Sequence, residues 1–164
     1  RPSASFSIRF RAASGDWVDF DHVRPADRTR LSGRIDLDLR RHLELELEYL
    51  YSTLDVEGGR LFTAHVPQMT AVWQFNTRSF VRAIIQYADI DRTPELYYDQ
   101  VDAESRRLFG QFLYSFTLNP QTVFYLGYSE NQHGWDDPFS GADSIGLTRS
   151  DWTVFVKIGY AWLL

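Results

Sequence analysis

Cysteine is absent from this sequence, and so is any long apolar run. Without cysteine the chain has no disulfide scaffold and no thiolate metal site. A membrane-spanning helix needs roughly 18 consecutive apolar residues, so any passage through a membrane must be made by strands. An excess of positive charge is also lacking, since the formal net charge is -5, and this balance argues against nucleic acid as a partner.

Aromatic residues, in contrast, are abundant. They make up 16% of the 164 residues, with twelve Phe, nine Tyr and five Trp, beside 24% charged residues. Transmembrane barrels combine these features, because aromatic girdles mark both membrane interfaces while lumen-facing residues stay polar. A soluble β-sandwich core can also absorb many aromatic side chains. The length predicts one domain covering residues 1–164.

Alternation of apolar and polar residues predicts strands along most of the chain. In residues 4–12 every even position is apolar and every odd one polar, which is the period of a strand with two different faces. Residues 30–40 and 43–51 repeat the pattern as a hairpin. At Pro67 we expect a bulge or a shift of phase. The predicted strands cover residues 4–12, 30–40, 43–51, 61–75, 81–87, 108–117, 122–129 and 152–164.

The predicted connections differ between the two ends of this meander. Links after the first, fifth and seventh strands are expected to be long, those after the second, fourth and sixth are tight turns, and Gly58-Gly59 closes the third hairpin. Outer-membrane barrels have this asymmetry, and strands of about 9 to 13 residues suit a tilted membrane crossing. We therefore predict an all-β fold, a transmembrane antiparallel up-and-down β-barrel of eight strands in the bacterial outer membrane. It is either complete or the C-terminal part of a larger barrel.

Charged side chains collect on the strand faces opposite the apolar residues. In water such a face would point outwards, whereas a barrel in lipid turns it inwards, where opposite charges pair and offset the cost of burial. The alternative is the solvated face of a soluble sheet. The predicted lumen-facing charge network consists of Arg9, Arg11, Arg30, Arg34, Asp36, Asp38, Arg40, Glu44, Glu46, Glu48, Arg82 and Lys157.

The last predicted strand carries apolar or aromatic residues at alternate positions up to the final residue. This pattern resembles the C-terminal strand that outer-membrane proteins present to the barrel assembly machinery, which we expect as a partner together with outer-membrane lipid. Leu164 stands where the terminal residue is usually Phe. The predicted assembly signal consists of Ile158, Tyr160, Trp162 and Leu164.

Four segments carry a further similarity: GRLFTA at 59–64, QFNTRSF at 74–80, LNPQTVF at 118–124 and KIGYAW at 157–162. They resemble the C-terminal region of a bacterial family of unknown function, and the resemblance covers well over half of the chain. Members of that family carry an N-terminal module similar to family-9 carbohydrate-binding domains, followed by an outer-membrane-type barrel region. The resemblance implies a location and an architecture but no activity, and the sugar-binding module is absent from this sequence.

Few residues suggest catalysis. Of the histidines, His42 falls in a predicted turn, and His22 and His133 in predicted loops. Only His65, beside Thr63 on the fourth strand, is in a position to join a catalytic constellation, and no nucleophile motif accompanies it. We therefore predict no catalytic residue, no cofactor and no metal.

The predicted loops leave two alternatives open. The first alternative is calcium binding through side-chain oxygen ligands, although no EF-hand spacing is present. Two separate groups offer such ligands: Asp136, Asp137 and Asp143 with Asn131, and Asp99, Asp102 and Glu104. Loop aromatics can stack on sugars or anchor a protein partner, or else form an interfacial girdle or pack within ordered loops. They are Trp17, Phe20, Tyr97, Tyr98, Trp135 and Phe139.

Three functions remain in contention. We favour a non-enzymatic anchor or scaffold, because bulky charges of both signs fill the predicted lumen. The first alternative is a porin-like solute channel that forms part of a larger barrel. The second is an outer-membrane enzyme that modifies lipid through His65.

Overall fold

The chain folds almost entirely into strands. The computed structural model describes residues 4–39, 42–135 and 146–161. No helix in these ranges is long and apolar enough to span a membrane. The elements are β1 (Ser5–Asp19), β2 (Arg24–Leu39), β3 (Leu43–Val56), β4 (Gly59–Asn76), β5 (Ser79–Arg92), a 3₁₀ turn (Pro94–Leu96), β6 (Glu104–Asn119), β7 (Thr122–Trp135) and β8 (Thr148–Tyr160).

All eight strands belong to one antiparallel sheet. Each strand pairs with its neighbours in the sequence, in the order β1-β2-β3-β4-β5-β6-β7-β8, so the chain runs up and down without a crossover. This confirms the predicted all-β architecture of eight antiparallel up-and-down strands. In the described ranges β1 and β8 form the two edges of the sheet, and no ladder joins them.

The first hairpin is longer than the sequence pattern suggests, and its link is a turn of four residues, 20–23. The expectation of a long link after the first strand is therefore wrong. Trp17 pairs with Ala26, and Gly15 with Arg28, through the segment that had been assigned to a loop. Small and polar residues break the alternation there, and pairing with a long partner strand outweighs their weak local preference.

The two ends of the sheet nevertheless differ in their links. One end, called the turn end below, carries the links 40–42, 77–78 and 120–121. The other, called the loop end, carries the links 20–23, 57–58, 93–103 and 136–147. The predicted asymmetry thus holds for the links after β5 and β7 and fails for the link after β1.

The strands are staggered relative to the line of tight turns. One row of directly paired residues crosses the sheet through Leu43, Val81 and Leu126. Leu43 comes directly after the turn that precedes its strand. Two residues separate Val81 from the turn before β5, and four residues separate Leu126 from the turn before β7. The rise along a strand is ~3.3 Å per residue and neighbouring strands are ~4.8 Å apart. With this stagger the three turns lie at one level only if the strands tilt by roughly 35° from the perpendicular to that level. Transmembrane barrels have tilts of about 35–45°.

Pro67 alters the hydrogen bonding of β4 without shifting its register. The offset to β5 is the same on both sides of it, with His65 opposite Asp89 and Gln68 opposite Gln86. Proline lacks the N–H that a ladder hydrogen bond needs, so the hydrogen bonding is lost only around Pro67. The expected shift of phase at Pro67 is therefore wrong, and the register shift between β3 and β4 lies at Leu54/Asp55 instead.

Buried apolar residues cluster at the loop end. Ala26, Leu54 and Leu61 form this cluster, and Leu96 and Tyr97 of the β5–β6 link pack against it. Many large apolar side chains elsewhere are exposed. A sheet in a soluble domain buries at least one apolar face against a core, so burial in this chain is reversed over most of its length.

Candidate functional site

The register of the sheet brings the charged residues of distant strands to one side, called the polar face below. Directly opposed residues of antiparallel strands point to the same side, and one such row runs through Arg9, Arg34, Glu48, Gln68 and Gln86. Arg40 lies outside the described residues. The other members of the predicted network all lie on the polar face: Arg9, Arg11, Arg30, Arg34, Asp36, Asp38, Glu44, Glu46, Glu48, Arg82 and Lys157.

The sheet curls around the polar face. A recess of 380 Å³ is lined by side chains from β1 to β5, including Arg9 and Gln86. In a flat sheet β1 and β5 would lie ~19 Å apart, at ~4.8 Å between neighbours. Both strands reach one recess because the polar face is on the inside of the curve.

Arg34 is the centre of an ion-pair network on this face. Its Nη2 lies 2.6 Å from Oε2 of Glu46, and its Nη1 lies 2.9 Å from Oε1 of Glu48. Its Nε lies 2.8 Å from Oδ1 of Asp36, whose Oδ2 accepts a hydrogen bond from Nη2 of Arg9 at 2.9 Å. Opposite charges therefore pair across β1, β2 and β3 through charge-assisted hydrogen bonds.

The polar face changes sign along the strands. Towards the loop end, Arg11 and Arg30 line the 380 Å³ recess and form no ion pair with any described residue. Towards the turn end, a second recess of 230 Å³ is lined by four carboxylates, and Arg34 borders both recesses. The four carboxylates belong to Asp36, Asp38, Glu44 and Glu46.

The opposite side of the sheet, called the apolar face below, is uncovered. One directly paired row on it consists of Ile8, Ile35, Leu47, Met69 and Ile85. The exposed fraction is 64% for Ile8 and 45% for Ile85. Among the described elements none packs over this face, because each strand contacts its sheet neighbours and the 3₁₀ turn contacts β4.

The predicted assembly signal falls partly within the described residues. Ile158 and Tyr160 of β8 lie on the apolar face, with exposed fractions of 70% and 54%. Trp162 and Leu164 lie outside the described residues. The described half of the signal is therefore presented outwards, at an edge strand of the sheet.

His65 lies on the apolar face near its loop-end margin. Its Nδ1 is 2.6 Å from the hydroxyl of Tyr49, and its ring lies 5.0 Å from that of Tyr51. Asp89 is directly opposite it on β5. Among the described residues no hydrogen bond joins His65 to a serine or threonine, so Thr63 and His65 do not form a nucleophile pair in this geometry.

His42 and His133 lie in a turn and in a strand, respectively. His42 lies in the β2–β3 link, where its Nδ1 is 2.8 Å from the carbonyl oxygen of Gln74. His133 is in β7 and opposite Arg107 on β6. Its assignment to a loop was wrong, because the polar residues after 129 continue the ladder in place of leaving it.

A hydrogen-bonded cluster ties the β1–β2 turn to the β5–β6 link at the loop end; we call it the latch. Asp19, 4% exposed, accepts hydrogen bonds from Nδ1 of His22 at 2.7 Å and Nε of Arg24 at 2.9 Å. Nη2 of Arg24 donates a hydrogen bond to the carbonyl oxygen of Leu96 at 2.6 Å. The backbone N–H of Tyr98 donates to Nε2 of His22 at 3.4 Å, so His22 bridges the β1–β2 turn and the β5–β6 link.

Packing and electrostatics both hold the latch in place. Burial raises the pKa of the Asp19 carboxyl, but the hydrogen bonds from Arg24 and His22 outweigh it, and the pKa lies below its ordinary value. Leu96 packs on Ala26 and Leu54, which lie on the polar face. The β5–β6 link therefore packs against the polar face, which is the inside of the curved sheet. It occupies part of the space that the sheet encloses at the loop end.

The loop candidates have separate outcomes. Tyr98 and Phe20 are exposed, at 80% and 74%. Trp17 belongs to β1 and stacks on the guanidinium of Arg28 at 4.9 Å, so its assignment to a loop was wrong. Within the described ranges no three acidic or histidine residues come close enough to hold a metal ion. Phe139, Asp136, Asp137 and Asp143 lie outside those ranges.

The sequence pattern missed two features of the site. Gln68 and Gln86 line the larger recess beside the arginines, and only the strand register reveals that they share a row with Arg34. The latch joins residues 72 positions apart, Arg24 and Leu96. No local pattern marks such a contact, although an Asp and a His three residues apart near a turn were a visible signal.

Comparisons with known proteins give one structural neighbour. No protein-family model and no curated protein sequence matches this chain. The solution structure of outer membrane protein W of Escherichia coli is similar over 98% of each chain, with 18% sequence identity and a TM-score of 0.33.

Proposed function

We propose that this chain is an integral outer-membrane β-barrel protein whose apolar face contacts lipid and whose polar face lines the interior. The observation that carries the proposal is the reversed burial. Apolar side chains of all eight strands point away from the curved sheet with nothing packed on them, while ion pairs occupy the inside.

The size of the apolar face supports lipid over water. Eight strands spaced ~4.8 Å apart and a band ~25 Å tall span an area on the order of 1,000 Å². Soluble monomers rarely expose a contiguous apolar patch of more than a few hundred Å². Contact with lipid hydrocarbon removes the free-energy cost of exposing this apolar surface to water. The ladders between successive strands provide hydrogen bonds for the backbone groups that would otherwise be unpaired in lipid.

Within the barrel we propose a non-enzymatic anchor or scaffold. The paired charges around Arg34 occupy the inside of the curve between β1 and β3, and interiors of small barrels are filled by side chains. Ile158 and Tyr160 are exposed on an edge strand, and we infer that this face of β8 contacts the assembly machinery.

A second candidate function is the passage of solutes. The observation in its favour is the 380 Å³ recess, which shows that side chains leave open space along the polar face. A wider barrel would enlarge this space, because barrel diameter grows with strand number. Planar-bilayer recordings separate the two roles, since a scaffold gives no stable open state and a conduit gives discrete conductance steps.

Site-directed spin labelling tests the barrel proposal directly, because the chain has no native cysteine. Single cysteines at residues 81–87 of β5 would carry a nitroxide in protein refolded into lipid vesicles. At odd positions, as at Ile85, we expect collisions with oxygen dissolved in lipid. At even positions, as at Ile84, we expect collisions with a water-soluble nickel chelate. The absence of a two-residue period would contradict the proposal.

Electrophoresis provides the complementary measurement. A closed transmembrane barrel resists detergent at room temperature and migrates faster before boiling than after it. We expect such a shift for the refolded chain. A chain that shows the spin-label period but no shift would indicate that these strands need further strands to close.

A further inference from the structure

We propose that the 380 Å³ recess, defined by Arg9, Arg11, Arg30, Arg34, Gln68 and Gln86, binds a small multivalent oxyanion. The ligand class is a phosphate or a short dicarboxylate. This inference rests on the proposed function, because it requires that the polar face be the water-accessible interior.

The charge balance of the recess is the first argument. Four guanidinium groups line it, and Glu48 is its one carboxylate among the described residues. Glu48 is already bound by Nη1 of Arg34 at 2.9 Å and lies 3.4 Å from Nε2 of Gln68. The guanidinium groups of Arg9 and Arg34 are also paired with Asp36 and Glu46, which lie beside the recess. The positive charge that remains without a carboxylate partner among the described residues belongs to Arg11 and Arg30.

The second argument is the set of donors left over. Arg11 and Arg30 make no ion pair with a described residue, and they lie on adjacent strands with Ser32 opposite Arg11. Guanidinium groups present paired N–H donors that match carboxylate and phosphate oxygens.

Size and position also fit this ligand class. Pockets for small molecules have volumes of about 300–1,000 Å³, and the recess is within that range. The carboxylates of the neighbouring 230 Å³ recess repel an anion from the turn-end half. Potentials of opposite sign therefore favour one position for the anion, beside Arg11 and Arg30, over the rest of the polar face.

The test is calorimetric titration of the refolded chain in detergent, with inorganic phosphate and succinate in separate experiments at constant ionic strength. We expect saturable binding of at least one of them. The double variant Arg11→Gln, Arg30→Gln should weaken it by about tenfold or more, because two charge-assisted contacts are lost. Arg107→Gln is the control, since Arg107 is an exposed arginine of the polar face that does not line the recess.

The outcomes separate this inference from the proposed function. Binding that is equal in the double variant and the wild type, or loss that is equal in the double variant and the Arg107→Gln control, would overturn the site. The absence of saturable binding by either anion would also overturn it, provided that the spin-label period shows a formed sheet. A missing spin-label period would instead contradict the barrel on which the site depends.

Discussion

The ring of Phe155 lies over Gly127 on the polar face. The two residues are directly opposite each other on β8 and β7, and a Cβ built on Gly127 would overlap the ring atoms of Phe155. The glycine therefore provides the space into which the aromatic ring folds, and the ring covers a backbone position that has no side chain of its own.

Gly127→Ala should destabilise the sheet, because the new methyl group displaces the Phe155 ring. Overpacking of this kind costs about 1–3 kcal/mol. Urea unfolding in detergent, followed by tryptophan fluorescence, measures the effect. Gly110→Ala is the matched control, since a Cβ at Gly110 meets nothing within 4 Å. Equal midpoints for the two variants would show that Phe155 moves aside without cost.

Arginine at Ile85 should impair membrane insertion far more than arginine at Ile84. The two residues are adjacent on β5 but point to the apolar and polar faces respectively. Arginine on the lipid side costs about 2–4 kcal/mol at the bilayer midplane. Arginine at residue 84 would instead lie on the polar face, in the same row of paired residues as Glu46. Folding yield in vesicles, read from the electrophoretic shift, gives the comparison, and the opposite ranking would invert our assignment of the faces.

Removal of the Arg34 guanidinium should lower the denaturant midpoint, because Asp36, Glu46 and Glu48 would then repel one another. The loss should shrink as salt rises from low to molar concentration, since screening weakens the repulsion. Arg34→Gln is the test, and Arg11→Gln is the control, because Arg11 has no carboxylate partner among the described residues. A salt-independent loss would indicate a packing role for Arg34.

The latch should open in acid. The pKa of Asp19 is lower in the folded chain than its ordinary value, so its stabilising contribution is complete above about 3.9 and disappears as the pH falls through the folded-state value. Hydrogen exchange of residues 93–98, corrected for intrinsic rates, should show this loss of protection. Asp19→Asn should weaken the protection at every pH. Asp21→Asn, an exposed neighbour, should leave the wild-type profile unchanged.

Alternation alone was enough to predict the hairpin of β2 and β3. Leu37 lies opposite Leu45 and Asp36 opposite Glu46, as a two-residue period on both strands requires. The same signal failed between residues 13 and 29, where small residues and consecutive polar or charged residues interrupt the alternation. Strand order could also be predicted, because most connections are tight turns, which favour pairing with the next strand in the sequence.

The site could be predicted only in part. Which residues share the polar face follows from parity within each strand, so the residues of the charged network were identifiable from the sequence. The partners of Arg34 were not, because they depend on the register between strands and on side-chain rotamers. The recess was likewise hidden, since it depends on the curvature that brings Arg11 and Gln86 to one space.

The β5–β6 link folds against the inside of the curved sheet at one end and has no counterpart among the described residues at the other. A solute that enters from the turn end meets carboxylates and then arginines before it reaches any loop, whereas one from the loop end must first pass Leu96 and Tyr97. The two directions of travel are therefore not equivalent. If solutes do pass, current through the protein should rectify, and acid that opens the latch should make inward and outward flow more nearly equal.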